Sequence, residues 1–263
     1  MPLSVTAYEN DLLMGMGGPL AVTFAYSQAL TTRSWRDTET ARRELNHALA
    51  LEPGNARVQI SACSLNYDAG DIATARRHLA EAERVDPEFP LVLYWKSFLA
   101  LTVEHDREAA LRHVNRLLEH TPRFALAHVI KGWILSTGPN ADFPSARAAC
   151  SQALVFRPDM VWAMVLTADT YEREGNWTMA RLWLDCTLRQ NDKCMAALTA
   201  RARLSGKSGD WKSSVADLTA AIALAPLRAD LYRQRIEAYA SLGDAKGAAA
   251  DGKIAATLEG GNR

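Results

Sequence analysis

Helix-ending residues recur along the sequence at a nearly constant spacing, and this spacing constrains the fold more than any other feature. Most steps are 34 residues long, with one of 35 and one of 36. The positions, here called phase marks, are Pro19, Pro53, Pro87, Pro122, Pro158, Asp192, Pro226 and Gly260. A period between about 20 and 50 residues indicates a repeat protein whose units stack on one another.

Small side chains keep the same phase. Twelve residues before the marks stand Ala41, Ala75, Ala110, Ala146, Ala180, Ser214 and Ala248. Five residues before them stand Ala48, Ala82, Leu117, Ala153, Thr187, Ala221 and Ala255. Ten residues after the marks stand Ala29, Cys63, Ser97, Gly132, Ala168, Ala202 and Ile236. Two antiparallel helices approach closely only where small residues face each other, so this pattern predicts a helical hairpin in every period.

Glycines mark the turn inside the predicted hairpin. They stand at Gly70, Gly175, Gly209 and Gly243, each followed by Asp or Asn. Glycine readily takes the left-handed conformation that ends a helix, whereas proline stops the second helix and can open the next one. One residue is inserted near 103–106 and two within 137–144, which predicts two longer turns inside repeats.

These positions resemble the tetratricopeptide repeat family, whose pattern combines a small residue in each helix, a late aromatic residue in the first and a final proline. Two stretches carry the resemblance best: Tyr232, Ile236, Tyr239, Gly243, Ala248 and Ala255 in one, and Tyr171, Gly175, Ala180 and Leu184 in the other. Ile236 departs from the pattern, because that position is usually small. The resemblance covers residues 20–260 and implies an all-α fold, an α-solenoid or superhelix of antiparallel hairpins.

We therefore expect seven repeats within a single array. Their predicted bounds are 20–53, 54–87, 88–122, 123–158, 159–192, 193–226 and 227–260. Residues 1–19 are predicted to form an N-terminal capping segment, because the end of a solenoid must be covered. Residues 261–263 are predicted to be a tail.

Charge and composition exclude several classes of protein. Thirty Lys and Arg balance 30 Asp and Glu, so the chain has no basic surplus of the kind that nucleic acid requires. The four cysteines form no CxxC pair, which fits a reducing compartment. No basic and apolar leader opens the sequence. We expect a bacterial, cytoplasmic protein without membrane insertion.

The sequence contains no recognisable catalytic motif. Gly-rich phosphate loops, GxSxG and HExxH are absent. His113 and His120 lie seven apart, a weaker metal signature than the usual spacing of four, and are interpreted as surface or capping residues. The acidic pair Glu172 and Glu174 is expected on a solvated face. The prediction is a non-enzyme without cofactor or metal.

The resemblance also implies where a ligand would bind. In this family one side of each first helix forms the inner face, at the second, fifth, ninth, twelfth and thirteenth residues of the repeat. Transferred by position, this face has an aromatic middle and a charged C-terminal third. The candidate partner-binding residues are Tyr67, Tyr94, Phe98, Leu101, Trp133, Trp162, Asp169, Arg173, Arg203, Lys207 and Arg233. The alternative is that the aromatic part is buried within the molecule.

A basic residue recurs at the seventh position of four repeats. The four residues, one in each repeat, are Lys96, Lys131, Arg201 and Arg235. We interpret it as an aliphatic stem packed between helices with its charge in water, rather than as a row of ligand-binding groups.

The predicted function is that of a non-catalytic scaffold or adaptor, which binds a peptide or protein segment with apolar side chains in its groove. Two alternatives stay open. The chain could be the sensor module of a bacterial transcription regulator, or an assembly factor for secretion or envelope machinery. Nucleic acid is not expected to bind to this chain by itself, and a homo-oligomer is compatible with the sequence.

Overall fold

The structure of the protein is a computed structural model, which describes residues 38–260, with side chains from residue 42 onward. The predicted capping segment 1–19, the first helix of repeat 20–53 and the tail 261–263 lie outside the described residues. Between Thr38 and Gly260 the chain forms thirteen α-helices and no strand. The predicted all-α class is confirmed.

First helices and second helices alternate along the described chain. The first helices are α2 (Ala56–Asp68), α4 (Pro90–Thr102), α6 (Ala125–Ser136), α8 (Val161–Arg173), α10 (Met195–Lys207) and α12 (Ala229–Leu242). The second helices are α1 (Thr38–Leu51), α3 (Ile72–Val85), α5 (Arg107–His120), α7 (Phe143–Phe156), α9 (Trp177–Gln190), α11 (Trp211–Leu224) and α13 (Ala245–Gly260). Every first helix begins three residues after a phase mark, because the mark ends the preceding helix.

The chain divides into two compact units. Among the described residues, the first unit ends at Pro122 and contains α1–α5, and the second begins at Arg123 and contains α6–α13. In each unit the two helices of a hairpin pack on each other, and consecutive hairpins pack through a second helix and the following first helix.

The small residues at the helix crossings are buried as the pattern predicts. Ala75, Ala110, Ala146 and Ala180 have no exposed surface. A β-carbon added to Gly132 on α6 would lie 3.0 Å from the backbone oxygen of Ala146 on α7. The hairpin can close this tightly only because that side chain is missing.

The turns inside the hairpins use the predicted left-handed residue. Gly70, Gly175, Gly209 and Gly243 have φ between +76° and +82°. All four of the following Asp and Asn side chains accept a hydrogen bond from a backbone N–H group of the next helix, as Asp210 does from Ser213 at 3.2 Å. In the lengthened turn of repeat 88–122 the corresponding residue is His105, with φ +56°.

The recurrent basic residue of the seventh position closes two hairpins by an ion pair. Arg201 Nη2 lies 2.7 Å from Asp217 Oδ1, and Arg235 Nε lies 2.7 Å from Asp251 Oδ2. A second guanidinium nitrogen binds the other carboxylate oxygen in both pairs. In both arginines the charge is therefore neutralised by a buried carboxylate and not by water alone, although 26% of the Arg201 and 13% of the Arg235 side chain stay exposed. We call these two interactions the arginine–aspartate clasps.

Candidate functional site

Four candidate residues lie in the first unit, where aromatic rings pack together. The ring centroid of Tyr67 on α2 is 5.2 Å from that of Phe98 and 5.7 Å from that of Trp95, both on α4. Tyr94 and Phe98 are 1% and 3% exposed, whereas Tyr67 and Leu101 are half-buried. Edge-to-face contacts of this kind stabilise aromatic clusters.

This burial bears on the predicted aromatic groove. Tyr94 and Phe98 are part of the interior of the first unit in this conformation. For these two side chains the structure matches the alternative interpretation, in which the aromatic part of the face is buried within the molecule. A partner could contact them only after a rearrangement. Their role in binding stays a prediction.

In the second unit the aromatic candidates are more accessible. Trp133 on α6 and Trp162 on α8 are both half-buried, and the two helices contact each other. Trp162 packs against a core that includes Val129, Cys150 and Ala153. Part of the Trp162 indole is therefore anchored in the core, while part of each indole stays available at the surface.

The charged candidates of α8 and α10 form one cluster around a carboxylate. Arg203 Nη2 lies 2.7 Å from Glu172 Oε2, and Lys207 Nζ lies 2.8 Å from Glu172 Oε1. Arg203 also lies 3.7 Å from Asp169, which is 3.9 Å from Arg173. Helical spacing explains the grouping, because residues three and four apart share a helix face.

Glu172 is the residue of this cluster that the sequence analysis misplaced. It was expected on a solvated face, but its side chain is 5% exposed between two cations. Burial by itself raises the pKa of Glu172, yet the hydrogen bonds from Arg203 and Lys207 outweigh burial and hold the pKa below its usual value. The carboxylate therefore stays ionised and fixes both cations, whose side chains are each 51% exposed.

The flanks of the cluster are fixed as well. Arg173 donates a hydrogen bond to the backbone oxygen of Ser136 at the end of α6, and its guanidinium carbon lies 4.8 Å from the ring centroid of Phe143. Burial raises the pKa of Asp169, with Arg203 and Arg173 opposing that effect. Arg233 on α12 instead pairs with Glu259 on α13 at 2.5 Å.

Within residues 42–260 no group of three or more His, Cys, Asp or Glu side chains is arranged to hold a metal ion. The Nε2 atom of His120 lies 3.1 Å from Glu88 rather than beside His113. None of the thirteen described helices has the length and apolar content needed to cross a membrane.

Solved structures with the same arrangement define the fold. A tetratricopeptide repeat protein from Parabacteroides merdae is 18% identical, with a TM-score of 0.62 over 91% of this chain and 94% of that one. PilW, a type IV pilus biogenesis factor, is 17% identical, with a TM-score of 0.63 over 74% of this chain and 90% of that one. Yeast Tom70 is 16% identical, with a TM-score of 0.65 over 86% of this chain and 47% of that one, so the chain spans about half the length of Tom70.

At these identities the likeness concerns the fold alone, and the fold is that of tetratricopeptide-repeat α-solenoid proteins. The predicted resemblance is therefore confirmed. The second unit has a further similarity: residues 160–250, from the start of α8 into α13, match the family described as Bacterial transcriptional activator domain. A search of curated protein sequences found no match.

Proposed function

We propose that the protein is a non-catalytic adaptor that binds a segment of a partner protein on the first-helix face of its second unit. The segment places apolar side chains against Trp133 and Trp162 and directs an acidic group toward Arg203 and Lys207. Tyr, Trp and Arg are the residue types that most often anchor protein interfaces, and charges determine orientation more than affinity.

The observation that carries this proposal is the way Glu172 holds Arg203 and Lys207. A buried carboxylate that binds two half-exposed cations fixes them before a ligand arrives, which lowers the entropic cost of binding. Together with Arg173, the cluster has three cations against the two carboxylates of Asp169 and Glu172. The surplus positive charge favours an acidic group over a basic one.

A capture experiment with matched variants tests the binding role. Full-length wild-type protein, Arg173→Gln/Lys207→Gln and the control Arg189→Gln/Lys212→Gln are immobilised, and captured proteins are quantified by mass spectrometry. The control removes two exposed charges from the second helices α9 and α11. We expect the first double variant, but not the control, to lose the partners of the first-helix face.

The aromatic anchors are tested in the same format. Trp133→Ala/Trp162→Ala should lose the same partners, provided that circular dichroism and urea unfolding show a folded protein. If both double variants of the first-helix face capture the wild-type set of proteins in full, the proposed site is wrong.

A second candidate function is a regulatory module of a bacterial transcription activator, which the family match over residues 160–250 favours. In that role the first-helix face would bind another protein of the regulatory complex, and the isolated chain would not bind DNA. A gel-shift titration at low and high salt checks this. A salt-sensitive complex of the isolated chain with duplex DNA would contradict the expected absence of direct binding.

A further inference from the structure

Two repeat positions of the last three second helices carry only apolar side chains. Ten and six residues before a phase mark stand Leu182 and Cys186 in α9, Ala216 and Ala220 in α11, and Ala250 and Ile254 in α13. Positions four apart lie on the same face of a helix. Cys186 is half-buried and the other five residues are exposed, Leu182 by 50% and Ile254 by 42%. We call these six residues the outer patch.

The three helices of the outer patch lie side by side, because the clasp arginines join them. Besides closing its clasp on α11, Arg201 donates from Nη1 to Asp185 on α9 at 2.8 Å. Besides closing its clasp on α13, Arg235 donates from Nη1 to the hydroxyl of Thr219 on α11 at 2.9 Å. Both acceptors directly precede a residue of the outer patch. The patch is therefore one surface across α9, α11 and α13.

Positive charge flanks the outer patch. Lys212, Lys246 and Lys253 are exposed residues of α11 and α13. Every carboxylate within these two helices is already bound to an arginine, because the clasps take two and Glu259 pairs with Arg233. The aspartates that precede the two helices accept hydrogen bonds from backbone N–H groups. The three lysines therefore give this surface a positive charge that an acidic ligand can neutralise.

The corresponding face of the first unit has a different chemistry. At the same two positions α3 carries Arg77 and Glu81, and α5 carries Arg112 and Arg116, all four exposed. Glu81 pairs with Arg84 at 2.6 Å. Charges of both signs are typical of a solvated helix face, whereas a contiguous patch of exposed apolar side chains indicates contact with another molecule.

The small side chains of the outer patch decide which kind of partner fits. Three of its residues, Ala216, Ala220 and Ala250, are alanines, and the distance between packed helices depends on the side chains at their contact. A partner helix can therefore approach closely. Surface helices that bind a bilayer instead bury large residues such as Trp, Phe and Leu in it, and the outer patch has only one leucine and one isoleucine. A protein helix fits this surface better than a lipid bilayer does.

We propose that the outer patch is a second docking surface, which binds an amphipathic helix of a partner protein. The apolar side chains of that helix lie on the alanines, and its acidic side chains pair with Lys212, Lys246 and Lys253. This surface belongs to the second helices, whereas the site proposed above belongs to the first helices. A chain that binds one partner on each would link the two, as an adaptor does. The proposal does not depend on the first-helix site.

Binding of a defined probe to the full chain tests the docking surface. The probe is a fluorescently labelled helical peptide of about 20 residues, with leucine on one face and glutamate elsewhere, and fluorescence anisotropy measures its binding. We expect the glutamate peptide to bind and a version with lysine in place of glutamate not to bind. Lys246→Gln/Lys253→Gln should weaken binding about 3–10-fold, whereas the control Arg77→Gln/Arg112→Gln should change it less than about twofold. Absence of binding to the wild-type chain overturns the proposal.

The first-helix site is distinguished by its own variant. Arg173→Gln/Lys207→Gln should leave the affinity for the peptide within about twofold of wild type. If this variant loses binding while Lys246→Gln/Lys253→Gln keeps it, the peptide occupies the first-helix site and the outer patch is not a docking surface.

Two variants at one exposed alanine test the close approach of a helix. Ala220→Glu and Ala220→Lys should both weaken binding at least about tenfold, because each long side chain holds the peptide helix away from α11. Attraction between charges alone would be strengthened by Ala220→Lys, so an equal or higher affinity of that variant contradicts helix docking. Circular dichroism checks that both variants are folded.

The other possible occupants give different results. Co-sedimentation with phosphatidylglycerol vesicles should show no binding, and binding to vesicles without binding to the peptide assigns the surface to a membrane. Sedimentation velocity should show no self-association that Ala220→Lys abolishes. Self-association of that kind assigns the outer patch to a second copy of the chain and overturns the proposal.

Discussion

Gly132 provides a quantitative test of why small residues recur with the repeat period. In Gly132→Ala the new β-carbon would lie 2.9 Å from Sγ of Cys150, 3.0 Å from the backbone oxygen of Ala146 and 3.3 Å from Cδ2 of Leu166. The backbone oxygen cannot move without shifting α7, and Cys150 is completely buried. Overpacking of this kind costs about 1–3 kcal/mol. Replacing a mid-helix glycine with alanine by itself raises the free energy of unfolding by about 1 kcal/mol, because alanine has the higher helix propensity.

We therefore expect Gly132→Ala to lower the free energy of unfolding by about 0–2 kcal/mol, the overpacking cost less the gain in helix propensity. Gly252→Ala is the matched control, because it lies inside α13 of the same unit with no atom within 4 Å of the added β-carbon. That variant should gain about 0.5–1 kcal/mol from helix propensity alone. Urea unfolding followed by circular dichroism measures both. A Gly132→Ala protein as stable as Gly252→Ala would refute the argument that close helix approach requires the small residue.

Two further predictions concern a turn and a clasp. His105→Gly should raise the free energy of unfolding by about 0.5–1 kcal/mol, because glycine accepts a positive φ without strain. The reverse change at the corresponding turn, Gly70→His, should lower the free energy of unfolding by a similar amount. A Gly70→His protein more stable than the wild type would contradict this reasoning. Arg235→Leu should cost about 3 kcal/mol, because it leaves Asp251, with a side chain 4% exposed, without its cation. Arg235→Leu/Asp251→Leu should recover most of that loss in thermal unfolding, and a double variant as unstable as the single one would exclude the clasp as the cause.

The fold was largely predictable because its determinants are local and periodic. Small residues such as Ala146 and turn residues such as Gly175 act through backbone geometry, which the sequence encodes directly. The left-handed conformation of His105 was less obvious. Only its distance from the next phase mark places it where other repeats have glycine.

The candidate site was less predictable because burial depends on neighbours that no single repeat reveals. The position of Glu172 near the end of α8 suggests an exposed side chain. The side chain is buried because Arg203 and Lys207 of the next first helix, α10, bind its carboxylate. The four-residue spacing of Arg203 and Lys207, together with Asp169 on the same face as Glu172, was the signal in the sequence that could have predicted this cluster. Tyr94 shows the reverse case: its repeat position indicates an exposed side chain, whereas the side chain is buried beside Trp95 and Phe98, as the alternative interpretation expects.

The clasps also bear on the order in which the chain folds. Each one joins residues only 16 apart, Arg201 to Asp217 and Arg235 to Asp251. Contacts so close in sequence close short loops at little entropic cost and form early. Hairpins α10–α11 and α12–α13 can thus each assemble as soon as their own 34 or so residues are available. During synthesis, a growing chain could secure each of these hairpins before the next residues leave the ribosome.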